Sequence, residues 1–196
     1  KFDIGLEYKI IPFKGLYWQL SKNCPLNIKF NLYPVPDLKV PFLGVHFTPN
    51  ALDESVIIGP TAIPALGREN YTFFENINFQ SSIIDFTFLA KQYYFNKEGF
   101  RKYVHEQAFL GIPFFFLKSA QDLIPSIKFN DIERSNKVGI RAQLFNMKNN
   151  QIIKDFLCLH GEKSLHIINA ISPAFTASFA LADHIIDNHI LISINK

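Results

Sequence analysis

Two short stretches of this chain combine a glycine with a side chain that binds anions or moves protons. The first is Phe42–Thr48, where alternation along a strand sets Leu43, Val45 and Phe47 on one face and Gly44, His46 and Thr48 on the other with Phe42. A glycine beside a histidine leaves room for a ligand over the ring, and an imidazole accepts or donates a proton near neutral pH. The second is Lys137–Phe145, which sets Val138, Ile140, Ala142 and Leu144 opposite Gly139, Arg141, Gln143 and Phe145. Arginine suits a carboxylate because its planar fork donates two parallel hydrogen bonds. Taken singly, His46 reads first as a partly exposed sheet histidine, and half of a surface ion pair is the alternative for Arg141. The pattern leaves open whether the two strands face one cavity.

A third stretch, Ile168–Phe179, runs from a strand into a helical pattern. Ser172 is a good N-cap and Pro173 suits the first helical position. Ala174, Thr176 and Ala177 keep that first turn open, so the positive end of the helix is expected to accept an anion or a carbonyl oxygen. An ordinary strand-to-helix turn explains the same residues. The helix is expected to run from Pro173 to about Asn188, with Phe175, Phe179, Ala182 and Ile186 as its core stripe.

The elements around these stretches define an α+β chain. Strands are expected at Ile10–Leu20, Phe30–Val35, Phe42–Thr48 and Ser55–Gly59, with Asn50–Glu54 as a hairpin-like loop, which together suggest an antiparallel meander. Alternation is then lost, and Asn70–Tyr94, Lys97–Leu110 and Pro113–Leu123 read as helices with breaks at Asn96 and near Gly99. Strands return at Lys137–Phe145, Ile152–Leu159 and Ser164–Ala170, the first two joined by an Asn-rich turn.

Composition excludes several classes. Of 196 residues, 48% are hydrophobic and 19% charged, which fits a globular chain with a sizeable, Phe-rich core. A net charge of +3 with scattered basic residues gives no nucleic-acid stripe. Two cysteines, Cys24 and Cys158, are too few for a disulfide framework or a thiolate metal site, and a reducing compartment is the simplest expectation. The six histidines form no H-x-x-x-H pair, so no metal is expected. The nine glycines are never closer than eight residues, which excludes G-x-G-x-x-G and P-loop patterns within this sequence. The longest apolar run, Ala108–Leu117, is too short to span a bilayer but suits a peripheral contact with one. The chain opens on Lys1-Phe2-Asp3 and reads as part of something longer.

Several strings are recognisable. Ile11-Pro12-Phe13-Lys14-Gly15-Leu16-Tyr17, Pro41 to Thr48 (P-F-L-G-V-H-F-T), Gly59-Pro60-Thr61-Ala62 with Arg68-Glu69-Asn70-Tyr71, Gly139-Ile140-Arg141-Ala142-Gln143 and Asn169 to Ser178 closely resemble the L-2-hydroxyglutarate oxidases/dehydrogenases, FAD-dependent oxidoreductases of the D-amino-acid-oxidase-like class. The resemblance covers about Lys9 to Ile186 and the C-terminal half of that family. It implies an antiparallel substrate-binding domain with helices on one side over 9–136. It also implies closing strands and the C-terminal helix of an FAD-binding domain over 137–190.

The implied chemistry is oxidation of a small 2-hydroxy dicarboxylate to the 2-oxo acid, with hydride passing to the flavin of FAD. His46 would be the base or a substrate contact, and Arg141 a substrate or flavin contact. Gly139, Ser172, Pro173, Ala174, Thr176 and Ala177 would lie against the flavin. The family's N-terminal dinucleotide-binding unit has no counterpart in this sequence. A separate FAD-binding chain is therefore an implied partner, and this chain alone is expected not to hold FAD tightly, the more so with Ile171 and Phe175 in place of the family's Pro and Ala. The expected location is the cytoplasm, or the inner face of a membrane. The rival from another class is a non-catalytic remnant or partner subunit. A related flavoenzyme acting on an amine or glycerol phosphate is a third reading.

Overall fold

The computed structural model describes residues 2–35, 44–72, 74–171 and 174–191. Pro41, Phe42 and Leu43 of the histidine string, and Ser172 and Pro173, lie outside the described residues. The chain forms two compact units, one of Ile11–Gln143 and one joining the residues up to Ile10 to those from Leu144 onward.

The larger unit is built on an antiparallel sheet. Strand β1 is Tyr8–Leu20, β2 His46–Pro49, β3 Val56–Gly59 and β4 Ile63–Pro64. The sequence then turns helical in α1 (Phe79–Phe95), α2 (Phe100–Leu110) and α3 (Pro113–Gln121), and returns to the sheet in β5 (Ile132–Asn146). The strand order is β2-β3-β1-β5, with β4 also paired to β1. The α+β class expected from the sequence is the one observed.

Register assigns the faces. Phe47 pairs with Ile58, and Ile58 with Trp18. This row packs on Phe116 and Ala120 of α3, with Ile127 and Ile132 completing the core. Phe116 is fully buried and stacks on Trp18 at 5.4 Å. Because side chains alternate across a strand, the next row points to the opposite face.

Several expected boundaries shift. Phe30–Val35 is not a strand; only Leu32 bridges to Phe47. The segment between Pro64 and α1 is not helical. It is tied instead around Asn70, whose amide accepts from Lys14 Nζ (2.8 Å) and Leu66 N–H (3.2 Å) and donates to the carbonyls of Thr72 (2.9 Å) and Glu75 (2.7 Å). Gly67 is required there, since a Cβ would stand 2.3 Å from Asn76 O. Asn78 then caps α1 by accepting from Ser81 N–H, which is why the helix starts nine residues later than its hydrophobic content suggests. Both expected breaks are present as left-handed residues, Asn96 at φ 47° and Gly99 at φ 77°.

Helix α1 is inside out. Its buried side carries Ser82, Asp85 and Gln92 beside Phe88 and Leu89, while Phe79, Ile83, Phe86 and Tyr94 are exposed. Phe109, Ile112, Phe114 and Phe115, around the α2–α3 turn, are exposed as well.

In the smaller unit the end of β5 pairs with β6 (Gln151–Ile152) across the Asn-rich turn, as expected. The expected strand Ile152–Leu159 divides in two, and β7 (Leu157–His160) pairs with β8 (Leu165–Asn169). Asn169 holds the intervening segment by donating to Asp155 O at 2.7 Å.

The final helix corrects the sequence reading. Helix α4 is Ser178–Ile185, followed by a π-helical turn over Ile186–Leu191. Residues 174–177 form turns, with Ala174 N–H donating to Ile171 O at 2.8 Å and Ala177 held non-helical at φ −103°, ψ 20°. Phe175 and Phe179 are exposed, and the helix is anchored through buried Ile185, so the expected stripe is not its core face.

Candidate functional site

The face opposite the Trp18–Phe116 core carries the site. His46 pairs with Gly59. Continuing the β1–β3 register by one residue sets Tyr17 across from Gly59, and a Cβ on Gly59 would stand 3.1 Å from Tyr17 Cδ1. On the other flank, a Cβ on Gly139 of β5 would meet Tyr17 Oη at 3.7 Å. Histidine, glycine, tyrosine and glycine thus form one row across four strands, and Arg141 follows Gly139 on the same face of β5. Since neighbouring strands lie about 4.8 Å apart, His46 and Tyr17 are separated by roughly 10 Å of backbone that carries no side chain.

A cavity of about 120 Å³ opens beside this row, walled by Gly15, Tyr17, Pro60, Thr61, Gly139 and Arg141. A comparable space holds a molecule the size of benzene. Glycine is required at Gly15 in the wall and at Gly59 in the row beside it. A Cβ on Gly15 would meet Pro60 Cβ at 2.7 Å, and Gly59 has φ 140°, a conformation that side chains oppose. Thr61 locks the Pro60 loop onto β1, donating its N–H to Leu16 O (3.0 Å) and accepting Leu16 N–H on Oγ1 (3.1 Å). Helix α2 supports the same loop through Gln107 Oε1, which accepts from Ala62 N–H at 2.7 Å.

The electrostatics centre on Arg141. Burial pulls its guanidinium below the ordinary value, offset by the Tyr103 and Tyr17 phenols, and at that height arginine remains charged. Burial raises Tyr17, the nearby Arg141 charge opposing it, so the phenol is a neutral donor. Burial also raises Tyr103. His46 is lowered, chiefly by burial and in smaller part by Arg141, with its bond to Gly44 acting the other way. The imidazole is therefore neutral at pH 7. Its Nδ1 lies 3.0 Å from Gly44 O, and a carbonyl only accepts, so the proton sits on Nδ1 and the Nε2 lone pair is left to accept one.

His46, Gly139 and Arg141 therefore share a face, and Arg141 and Gly139 wall the cavity itself. His46 stands at the end of the row rather than in the cavity wall. The space expected beside Gly44 is filled: Pro34 Cγ would lie 3.0 Å from a Cβ there, and Tyr33 covers the His46 ring at 4.7 Å. Gly59 is the glycine that opens space next to His46. Gln143, expected on an open polar face, is buried. Among the residues expected against a flavin, Ala174 N–H is already bonded to Ile171 O, and the first turn of α4 begins at Ser178 behind Ala177, with no side-chain cap. Sequence reasoning missed Tyr17, Thr61 and Gly15, although alternation from Gly15 to Tyr17 was there to be read.

Fold and site define an α+β domain with a small cavity lined by two cations, Lys14 and Arg141, and by neutral donors. Among the described residues no His/Cys/Asp/Glu group suits a metal. No protein-family model matches the chain. Among curated proteins it is similar to L-2-hydroxyglutarate dehydrogenases. It is 37% identical to the mitochondrial enzyme of Homo sapiens over 191 residues, 91% of this chain and 39% of that protein. It is 36% identical to that of Bos taurus with the same coverage. Against the enzyme of Salmonella houtenae it is 31% identical over 193 residues, 93% of this chain and 43% of the relative. The chain is thus homologous to these dehydrogenases over about nine-tenths of its length and spans about two-fifths of theirs.

Proposed function

We propose that this chain is the substrate-binding part of an FAD-dependent oxidoreductase that converts a small 2-hydroxy dicarboxylate, L-2-hydroxyglutarate or a near analogue, to the 2-oxo acid. The observation that carries the reading is the single row His46–Gly59–Tyr17–Gly139 with Arg141 beside it, which sets a proton acceptor and a carboxylate-binding cation on one face. The names of the relatives support the same chemistry, in preference to a non-catalytic remnant.

In this reading Arg141 binds a substrate carboxylate and His46 Nε2 takes the proton of the C2 hydroxyl as the carbon is oxidised. FAD, when bound, supplies the acceptor for the two electrons of the C2 hydride. One feature of this chain fits the flavin: the first N–H groups of α4 lack a side-chain cap. Strands β7 and β8 with α4 are then the closing part of the FAD-binding domain. Ala174, Thr176 and Ala177 lead into the helix end that would face the ring, with Ser172 and Pro173 just before them.

The test is calorimetric titration of the purified chain with L-2-hydroxyglutarate, 2-oxoglutarate, sn-glycerol 3-phosphate and FAD. Saturable binding of the two dicarboxylates, with FAD lost on gel filtration, is the expected result. Binding of glycerol phosphate in their place would overturn the substrate, and a stoichiometric yellow complex stable to filtration would overturn the need for a further FAD-binding unit.

The exposed apolar side of α1 and the α2–α3 turn also supports peripheral contact with a lipid surface. Exposed Lys91, Arg101, Lys102 and Lys118 on the three helices, with Lys97 in the turn between α1 and α2, supply positive charge for anionic headgroups. No described helix is long and apolar enough to cross a membrane. The chain is expected to float with vesicles of phosphatidylglycerol and phosphatidylcholine, and the Phe79→Ser/Ile83→Ser double variant is not. Equal flotation of both proteins would remove α1 from the contact.

A further inference from the structure

We infer that Tyr17 contacts the ligand, donating its phenolic O–H to the C2 oxygen next to the carboxylate that Arg141 holds. The inference rests on the function proposed above. It starts from the space built around the ring: Gly59 on one flank and Gly139 on the other carry no Cβ, and either Cβ would stand within 4 Å of Tyr17. The phenol walls the same cavity as Arg141 and lies on the same face of the sheet. Lys137 Nζ sits 5.3 Å from the ring centroid, so a second cation braces the ring without adding a carboxylate beside it.

The division of labour follows from the two kinds of donor. A guanidinium matches an anionic carboxylate with two parallel bonds. The C2 oxygen of a 2-hydroxy or 2-oxo acid is neutral, one bond further along the same molecule. A phenol donates to it without bringing a second charge that must be desolvated. Burial keeps the Tyr17 proton in place, and the Arg141 field polarises it. Tyr17 thereby reads the presence of an oxygen at C2, and Arg141 reads the acid.

Glutarate and 2-oxoglutarate differ only at that oxygen, and this supplies the test. Their affinities for the purified chain are measured by calorimetry for the wild type, Tyr17→Phe and Arg141→Met. Tyr17→Phe is expected to weaken 2-oxoglutarate about 10-fold and leave glutarate unchanged, whereas Arg141→Met weakens both. Equal weakening of the two ligands by Tyr17→Phe would make the tyrosine a structural residue and overturn the inference. No change with either would overturn it while leaving the Arg141 site standing. Ligands that bind all three proteins alike, or none of them, would overturn both.

Discussion

Arg141→Met is expected to weaken binding of a 2-hydroxy or 2-oxo dicarboxylate by about 2–4 kcal/mol, on the order of 30- to 700-fold. The size follows from burial. Arg141 sits in a cavity wall where water screens it poorly, and removing it leaves a bound carboxylate without a fork of donors. The fold itself is expected to survive, because methionine replaces a half-buried charge with an apolar chain of similar length and relieves its desolvation. Arg141→Lys keeps the charge but loses the two parallel bonds and is expected to fall between the two proteins. Calorimetry for affinity with urea unfolding for stability checks both halves. A variant that binds as well as the wild type would move the anion contact elsewhere.

The second large effect is on stability. Asn70→Ala is expected to cost about 3–5 kcal/mol, because four hydrogen bonds converge on one fully buried amide. Its loss strands the Leu66 N–H and the Glu75 carbonyl, leaves Thr72 O with Lys14 Nζ alone (2.8 Å), and removes an acceptor from the buried Lys14 ammonium, which burial already pulls below its ordinary value. With a urea slope of about 2 kcal/mol/M the midpoint falls by roughly 1.5–2.5 M. Asn70→Asp restores an acceptor for Lys14 but sets a carboxylate against the Thr72 and Glu75 carbonyls, and is expected to recover only part of the loss. A shift below about 1 kcal/mol for Asn70→Ala would mean that water replaces these bonds.

The contrast between these residues shows what was legible in the sequence. Arg141 stands out because alternation over Lys137–Phe145 is clear and its planar fork suits a carboxylate, although a surface ion pair explains the same residue. His46 stands out by alternation too, but the glycine credited with opening space beside it was the wrong one. Gly44 is its neighbour in sequence, whereas Gly59 is its neighbour across the sheet, and cross-strand register is a long-range property. Asn70 was read as a position near the start of a helix. Its role depends on Lys14, far away in sequence, and on local turns that carry no periodicity. The helix after Pro173 was misplaced because a favourable N-cap pattern was weighed without the turn that Ile171 and Ala174 make through the backbone. The inverted polarity of α1 defeats pattern reading altogether, since its apolar residues mark the exposed side.

The glycine row has a consequence for how the site can change. Its width between His46 and Tyr17 is set by strand spacing, which is fixed by backbone hydrogen bonds and does not respond to rotamer choice. A cavity lined by large side chains widens when one of them is trimmed, but here there is nothing at Gly15, Gly59 or Gly139 to trim. Substitution at these positions can only narrow the site; at Gly15 it also runs into Pro60, and at Gly59 it strains the backbone. Room for bulkier ligands has to come from the other walls, the Pro60–Ala62 loop with the α2 residue Gln107 that supports it, or the side chains of Phe13 and Ile140. The glycine row sets a floor under selectivity, and these other walls are where breadth can be gained.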